Sequence, residues 1–189
     1  GGSSSINAMV HLRGHKSDFD GWAKSGCVGW DYESVLPYFR RMETVRGGDP
    51  RYHRGTDGPM SPAPAAAEVA NPLSQVFIDA AVAAGFPLTG DFNGAQSEGA
   101  GWHDLSISGG TRQSTAAAYL HPVRDRANLT VMTDSRAHKL RFVGNHCVGV
   151  DFVQRGRDLT AYAEAEVVIS AGAVDSPRLL LLSGIGPAA

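Results

Sequence analysis

The chain has 189 residues, 42% of them hydrophobic, 19% charged and 8% aromatic, with 17 Lys and Arg against 19 Asp and Glu. That composition fits one ordinary globular domain or parts of two, and it excludes a disordered, collagenous or fibrous chain. With a formal net charge of -2 and its basic residues scattered, the chain has no general attraction for nucleic acid or anionic lipid.

The 23 glycines and 10 prolines indicate a loop-rich α/β (α+β) fold rather than a helical bundle. Cys27 and Cys147 lie far apart and outside any CxxC pair, so neither a disulfide framework nor a cysteine zinc site is expected. The longest apolar run, near Leu179–Leu182, is far short of the ~18 residues of a membrane span. The opening GGSSSINAMV is no signal peptide, and the expectation is a cytoplasmic protein without a transmembrane segment. Without an initiator Met, and ending in the loop Ser183-Gly184-Ile185-Gly186-Pro187, the chain reads as an internal piece of something longer.

Residues 1–46 read as a glycine-serine turn, a short helix, a polar loop and a second helix beginning near Asp31. Asp31 can cap that helix and Trp30 can staple onto Val35, while Leu36, Phe39 and Met42 share a face and Pro37 bends or delays the helix. Residues 47–70, including Gly55-Thr56-Asp57-Gly58-Pro59, predict a loop with room for one edge strand. The clearest helix follows, with Asn71 as N-cap, Pro72 at the first position and Gly85 and Pro87 as its stop. Its face of Leu73, Val76, Phe77, Ala80, Ala81 and Ala84 is expected to pack on a core. A strand is expected around Trp102–Ile107 and a helix over Ser114–Leu120.

From Leu129 the pattern turns to β, with strands expected at Leu129–Thr133, His138–Val143, Cys147–Gln154, Leu159–Ala163 and Val167–Ser170. Gly144-Asn145 and Arg155-Gly156 are hairpin turns. Last come a buried strand Val167-Val168-Ile169, a turn Ala171-Gly172-Ala173 and a helix capped by Asp175 or Ser176, with Pro177 in its first turn and Leu179–Leu182 buried.

Small residues, hydroxyls and an amide crowd Gly1–Val10, so this segment is either a flexible turn or a loop that offers N–H groups to an anion such as a phosphate. Ser170–Ala173, between a strand and a helix, is either a tight connection or a ligand-facing turn. Gly184-Ile185-Gly186-Pro187-Ala188-Ala189 mimics a dinucleotide fingerprint, but its glycines end a helix instead of opening one. His11 and His15 have the spacing of a metal pair, yet Gly14 weakens a helix there and no third ligand is near, so a solvated or hydrogen-bonded pair is expected and no metal site. Asp18 and Asp20, flanking Phe19, read either as an acid pair or as caps of a turn, the second being expected. No GxSxG elbow exists, and His103 and His121 have no partner by motif.

GGSSSINAMVHLRGHKSDFDGWAKSGCVGWDYESVLPYFRRME and EVVISAGAVDSPRLLLLSGIGPA together resemble the two signature regions of the glucose-methanol-choline (GMC) family of flavin oxidoreductases, on its choline- and alcohol-dehydrogenase-like branch. Gly55-Thr56-Asp57-Gly58-Pro59, Asp91-Phe92-Asn93-Gly94 and Ala118-Tyr119-Leu120 fall between them in the family's order. The resemblance implies that Gly2, Ser3, Asn7, Ala8, Met9 and Val10 hold FAD near its pyrophosphate and flavin, that the backbone of Ala137 meets the adenine, and that Ala171 and Gly172 lie in a second FAD-proximal turn. Ile6 stands where some members tether the flavin through His, which implies non-covalent FAD.

The resemblance further implies FAD-binding segments at 1–46 and 126–189, interrupted by part of a substrate domain at 47–125. The family's GxGxxG strand would precede Gly1 and its catalytic His would follow Ala189, so no catalytic residue is assigned here and the chain is about a third of an enzyme. In such enzymes a small-molecule alcohol gives its hydroxyl proton to a His base and its carbinol hydride to flavin, forming an aldehyde or ketone. The fragment alone is expected to bind FAD poorly and to turn nothing over. A hydroxynitrile-lyase-like member, using FAD structurally, and a non-catalytic folding or interaction module are the alternatives.

Overall fold

The computed structural model describes residues 2–45, 54–65 and 68–187, in two compact units, Gly1–Arg126 and Ala127–Ala189. Part of the loop expected at 47–70 therefore lies outside the described residues.

The first unit opens with a 3-10 turn, Gly2–Ser5, followed by α1 (Lys16–Lys24) and α2 (Tyr32–Met42). His15 caps α1 and Asp31 caps α2, each side chain accepting from a first-turn N–H. Asp18 Oδ2 returns the bond to His15 N, which completes a capping box, and Asp20 Oδ1 accepts from Tyr32 N, tying α1 to the start of α2. Phe19 is the buried pivot, edge-on to Trp22 at 5.1 Å and to Phe39 at 5.6 Å. Pro37 lies inside α2, which runs through it to Met42.

Helix α3 (Pro72–Ala83) has Asn71 as its cap and Pro72 at its head, as its residues predict. Its burial differs from expectation. Ile78 is the buried side chain, and Trp102 Nε1 donates to Gln75 Oε1, whereas Leu73, Val76 and Phe77 are exposed. Helical periodicity identifies an apolar stripe but not whether this chain supplies a cover for it.

Strand pairing in this unit is short. Beyond the two-residue ladder of β1 (Ile107–Ser108) with β2 (Thr111–Arg112), Leu105 bridges both Val10 and Ala63. The strand expected over Trp102–Ile107 is thus reduced to single bridges at Leu105 and to Ile107 at the start of β1. The helix expected over Ser114–Leu120 is a π-helical turn, Ala116–Leu120, continued by a 3-10 turn at His121–Val123.

The second unit is an antiparallel meander, β3 (Ser135–Val143), β4 (His146–Gln154) and β5 (Arg157–Tyr162), followed by α4 (Gly172–Leu182). Both hairpins turn on two residues, with Val143 opposite His146 and Gln154 opposite Arg157. Gly144 has φ 58, and Arg155 and Gly156 have φ 50 and 75, the left-handed conformations that tight hairpins need. Leu140, Phe152 and Leu179 form the core, and Ser183 Oγ accepts from Leu140 N at 2.8 Å.

Two expected strands are not formed among the described residues. Leu129–Thr133 and Val167–Ser170 pair with no neighbour, and Val131, Met132 and Val168 are exposed. A strand exists only where another offers a ladder, which an apolar run cannot guarantee. The last helix also starts earlier than expected, at Gly172, so Pro177 is inside it, and Ser176 Oγ accepts from Ala171 N instead of capping a later start. Helices α1, α3 and α4 share one ending: Gly26, Gly85 and Gly184, all at positive φ, close paired bonds of the kind Cys27 N to Trp22 O and Gly26 N to Ala23 O. Gly184 therefore terminates a helix, as its sequence context predicts.

Candidate functional site

In the first unit, the segment Gly2–Val10 is a built loop rather than a linker. Asn7 N donates to Ser3 O at 2.9 Å, and Asn7 Oδ1 accepts from Met9 N at 3.1 Å. These bonds fold the chain back on itself and hold Met9 at φ 65, a left-handed conformation that disfavours a side-chain-bearing residue by roughly 1–2 kcal/mol. Ser106 N fixes the far side of the bend by donating to Met9 O at 2.7 Å.

Two residues more than a hundred positions away complete the loop. Arg112 Nη1 donates to Ser4 O at 3.2 Å, to Asn7 O at 2.9 Å and to Asn7 Oδ1 at 2.7 Å. Ser4 Oγ lies 3.0 Å from Thr115 Oγ1 and accepts from Thr115 N at 3.0 Å. Among the described residues, the N–H groups of Ala8 and Val10 meet no acceptor, and both residues are exposed. The surface offered is therefore one of donors: two backbone N–H groups, the Asn7 amide and serine hydroxyls. Such a surface can hold an acceptor-rich ligand, such as a pyrophosphate or a ring carbonyl, but it contains no group able to move a proton.

Just beyond Val10 the chain enters a buried ionic cluster that residue patterning missed. Glu43 is fully buried and Arg54 nearly so. Glu43 Oε1 accepts from Arg13 Nη2 at 2.6 Å, Arg54 Nε at 2.8 Å and Gly55 N at 3.1 Å, and Oε2 lies 3.1 Å from His11 Nε2. Arg54 also reaches Asp91 Oδ1 at 2.5 Å and Asp104 Oδ2 at 2.7 Å. Asn93 adds two bonds, accepting from Arg13 N at 2.7 Å and donating to His11 O at 2.9 Å. Burial by itself would raise the Glu43 pKa, but the hydrogen bonds of His11, Arg54 and Gly55 and the charge of Arg13 outweigh it and hold the group at about 2. Burial likewise opposes the Arg54 charge, and its three carboxylate partners raise its pKa nevertheless. The cluster anchors the extended segment His11–Arg13 that leaves the donor loop.

The remaining sequence-predicted positions lie in the second unit. Ala137 is exposed in β3 opposite Phe152, beside a register irregularity. Ala171 and Gly172 are exposed at the head of α4, with Gly172 at φ 93. The Ala171 N–H is taken by Ser176 Oγ, while the N–H groups of the first turn of α4 lack helical acceptors.

Three histidines have structural surroundings. His11 is buried on Glu43, His15 is an exposed helix cap bonded to Ser17, and His103 stacks on Phe92 at 4.5 Å. Among the described residues no cluster of His, Cys, Asp and Glu could hold a metal ion, and no helix is long and apolar enough to cross a membrane.

The sequence profile of the family described as GMC oxidoreductase matches residues 1–189. Human mitochondrial choline dehydrogenase is 47% identical over 188 residues, an alignment covering all of this chain and 31% of that protein. Pyridoxine 4-oxidase from Mesorbium loti superposes with a TM-score of 0.90 at 38% identity, over 99% of this chain and 36% of that one. An FAD-dependent oxidoreductase from Chaetomium thermophilum superposes with a TM-score of 0.88 at 31% identity, over 99% and 34%. The chain spans about a third of the length of these relatives.

Proposed function

The chain belongs to the GMC oxidoreductase family, and on that premise we propose that it is part of an FAD-dependent oxidoreductase that converts an alcohol CH–OH group to an aldehyde or ketone. The observation that carries this reading is the donor loop: the Asn7 side-chain amide and the backbone N–H groups of Ala8 and Val10 meet no acceptor among the described residues and are exposed, which supports their facing a cofactor rich in acceptors. FAD fits that donor set, through its pyrophosphate oxygens and flavin carbonyls. Bound FAD supplies the oxidising chemistry.

The chain's own residues bind and orient. Gly2, Ser3, Asn7, Ala8, Met9 and Val10 face the pyrophosphate and flavin in this reading, the backbone of Ala137 meets the adenine, and Ala171 and Gly172 form the second cofactor-proximal turn. Ile6, 85% exposed beside the loop, carries no nucleophile, so the cofactor is non-covalent. Residues 1–46 and 126–189 belong to the FAD-binding domain, and 47–125 to the substrate domain. No residue of this chain is assigned as the base. Similarity to human mitochondrial choline dehydrogenase, at 47% identity, supports a small alcohol of choline type as substrate.

Anaerobic addition of such an alcohol to the FAD-loaded enzyme containing this chain should bleach the visible flavin absorbance. A flavin that stays oxidised with every alcohol offered would overturn the oxidoreductase reading in favour of a structural FAD, as in a lyase.

A further inference from the structure

We propose that Arg112 is a positioning residue that sets the chemical sense of Asn7, making the Asn7 side chain a hydrogen-bond donor to the flavin cofactor. Arg112 Nη1 lies 2.7 Å from Asn7 Oδ1, and Met9 N lies 3.1 Å from the same atom. Both neighbours are obligate donors, since a guanidinium and a backbone N–H have nothing with which to accept. The amide atom between them must therefore be the oxygen, whichever way the amide would otherwise turn. The Nδ2 group consequently faces away from this pair, and among the described residues it meets no acceptor. Asn7 is exposed, so that N–H pair is available to a ligand.

Two further bonds, from the same Arg112 nitrogen to Ser4 O and Asn7 O, hold the backbone on which the amide stands. Arg112 thus acts through Asn7 and never needs to touch the ligand. The ligand atom that meets Asn7 is an acceptor: a ring carbonyl or phosphate oxygen of FAD, not a protonated ring nitrogen. This rests on the FAD reading of the loop.

The test uses amide NMR of the full 189-residue chain titrated with FAD to a large molar excess, because the chain by itself is expected to bind FAD weakly and chemical shifts register weak binding as well as strong. Asn7→Asp keeps the oxygen that Arg112 and Met9 bond but replaces the donor with a second acceptor. It should leave the hydrogen exchange of the Met9 N–H as in wild type and weaken the FAD-induced shifts of residues 7–10 by about tenfold or more. Arg112→Ala should speed Met9 exchange and shift the Asn7 side-chain NH2 resonances before any FAD is added; Arg112→Lys, a milder change, should do so partially.

If Asn7→Asp binds FAD as wild type does, the donor role is overturned. If Arg112→Ala, folded by circular dichroism, leaves the Asn7 side-chain and Met9 signals unmoved, the positioning role is overturned. Absence of any FAD-induced shift at 7–10 in wild type would instead sink the cofactor reading of the loop and the donor role with it, whereas the Arg112 effect on Asn7 is read without FAD and stands or falls separately.

Discussion

Glu43 shows how one side chain can organise a loop it does not belong to. Its carboxylate accepts from residues 11, 13, 54 and 55, and removing the charge takes from the buried Arg13 guanidinium its carboxylate partner, while Arg54 keeps Asp91 and Asp104. Glu43→Gln is expected to destabilise the chain by roughly 3–5 kcal/mol in urea unfolding, the usual cost of stranding a buried charge. The pH dependence has a definite sign. The folded pKa of about 2 lies below the unfolded value of 4.5, so the stabilisation is complete above the unfolded value and is lost as pH falls toward the folded one. The full shift corresponds to about 3 kcal/mol. Unfolding midpoints measured from neutral pH down to about pH 3 should fall more steeply in wild type than in Glu43→Gln; parallel curves would remove Glu43 as the titrating group. Arg112 and Asn7 work at the same scale with fewer bonds, and their consequence is orientation rather than stability.

At the scale of elements, much of the architecture follows from adjacent residues. Asp31 and Asn71 cap the helices whose starts they mark, and the glycines Gly26, Gly85 and Gly184 close three helix ends. The Gly144-Asn145 and Arg155-Gly156 turns set the register of the meander. In the two hairpin turns, Arg155, at φ 50, is the position where the residue works against the conformation. Arg155→Asn should therefore stabilise the hairpin by about 0.5–1 kcal/mol, read as a rise in the thermal midpoint, because Asn tolerates the left-handed region. An unchanged or lower midpoint would mean that Arg155 holds a compensating contact. Leu129–Thr133 and Val167–Ser170 mark the limit of such reasoning, since both have strand composition and neither finds a partner strand among the described residues.

At the scale of the whole molecule, the salient feature is the apolar surface left open. Leu73 and Phe77, four residues apart on α3, are 73% and 72% exposed, and on α4 Leu181 and Leu182 are also exposed. The chain spans about a third of its relatives' length, so faces of this kind need not be covered by its own residues. Phe77→Lys is accordingly expected to change stability by less than about 0.5 kcal/mol while reducing self-association in light scattering. A large drop in the thermal midpoint would show that Phe77 is packed after all.

The family, the caps of α2 and α3, the glycine stops of α3 and α4 and the two hairpin turns were determined by the amino-acid sequence. Each depends on a residue's own φ preference, on a cap a few positions away, or on a contiguous motif. Tertiary structure alone decided which charges meet, which apolar stripe is buried and which way the Asn7 amide faces. Glu43 finds Arg13 across 30 positions and Asn7 finds Arg112 across 105, and in sequence these are ordinary charged and polar residues among many. Pairings at such separations are selected by backbone that must already be folded, and no local spacing records them.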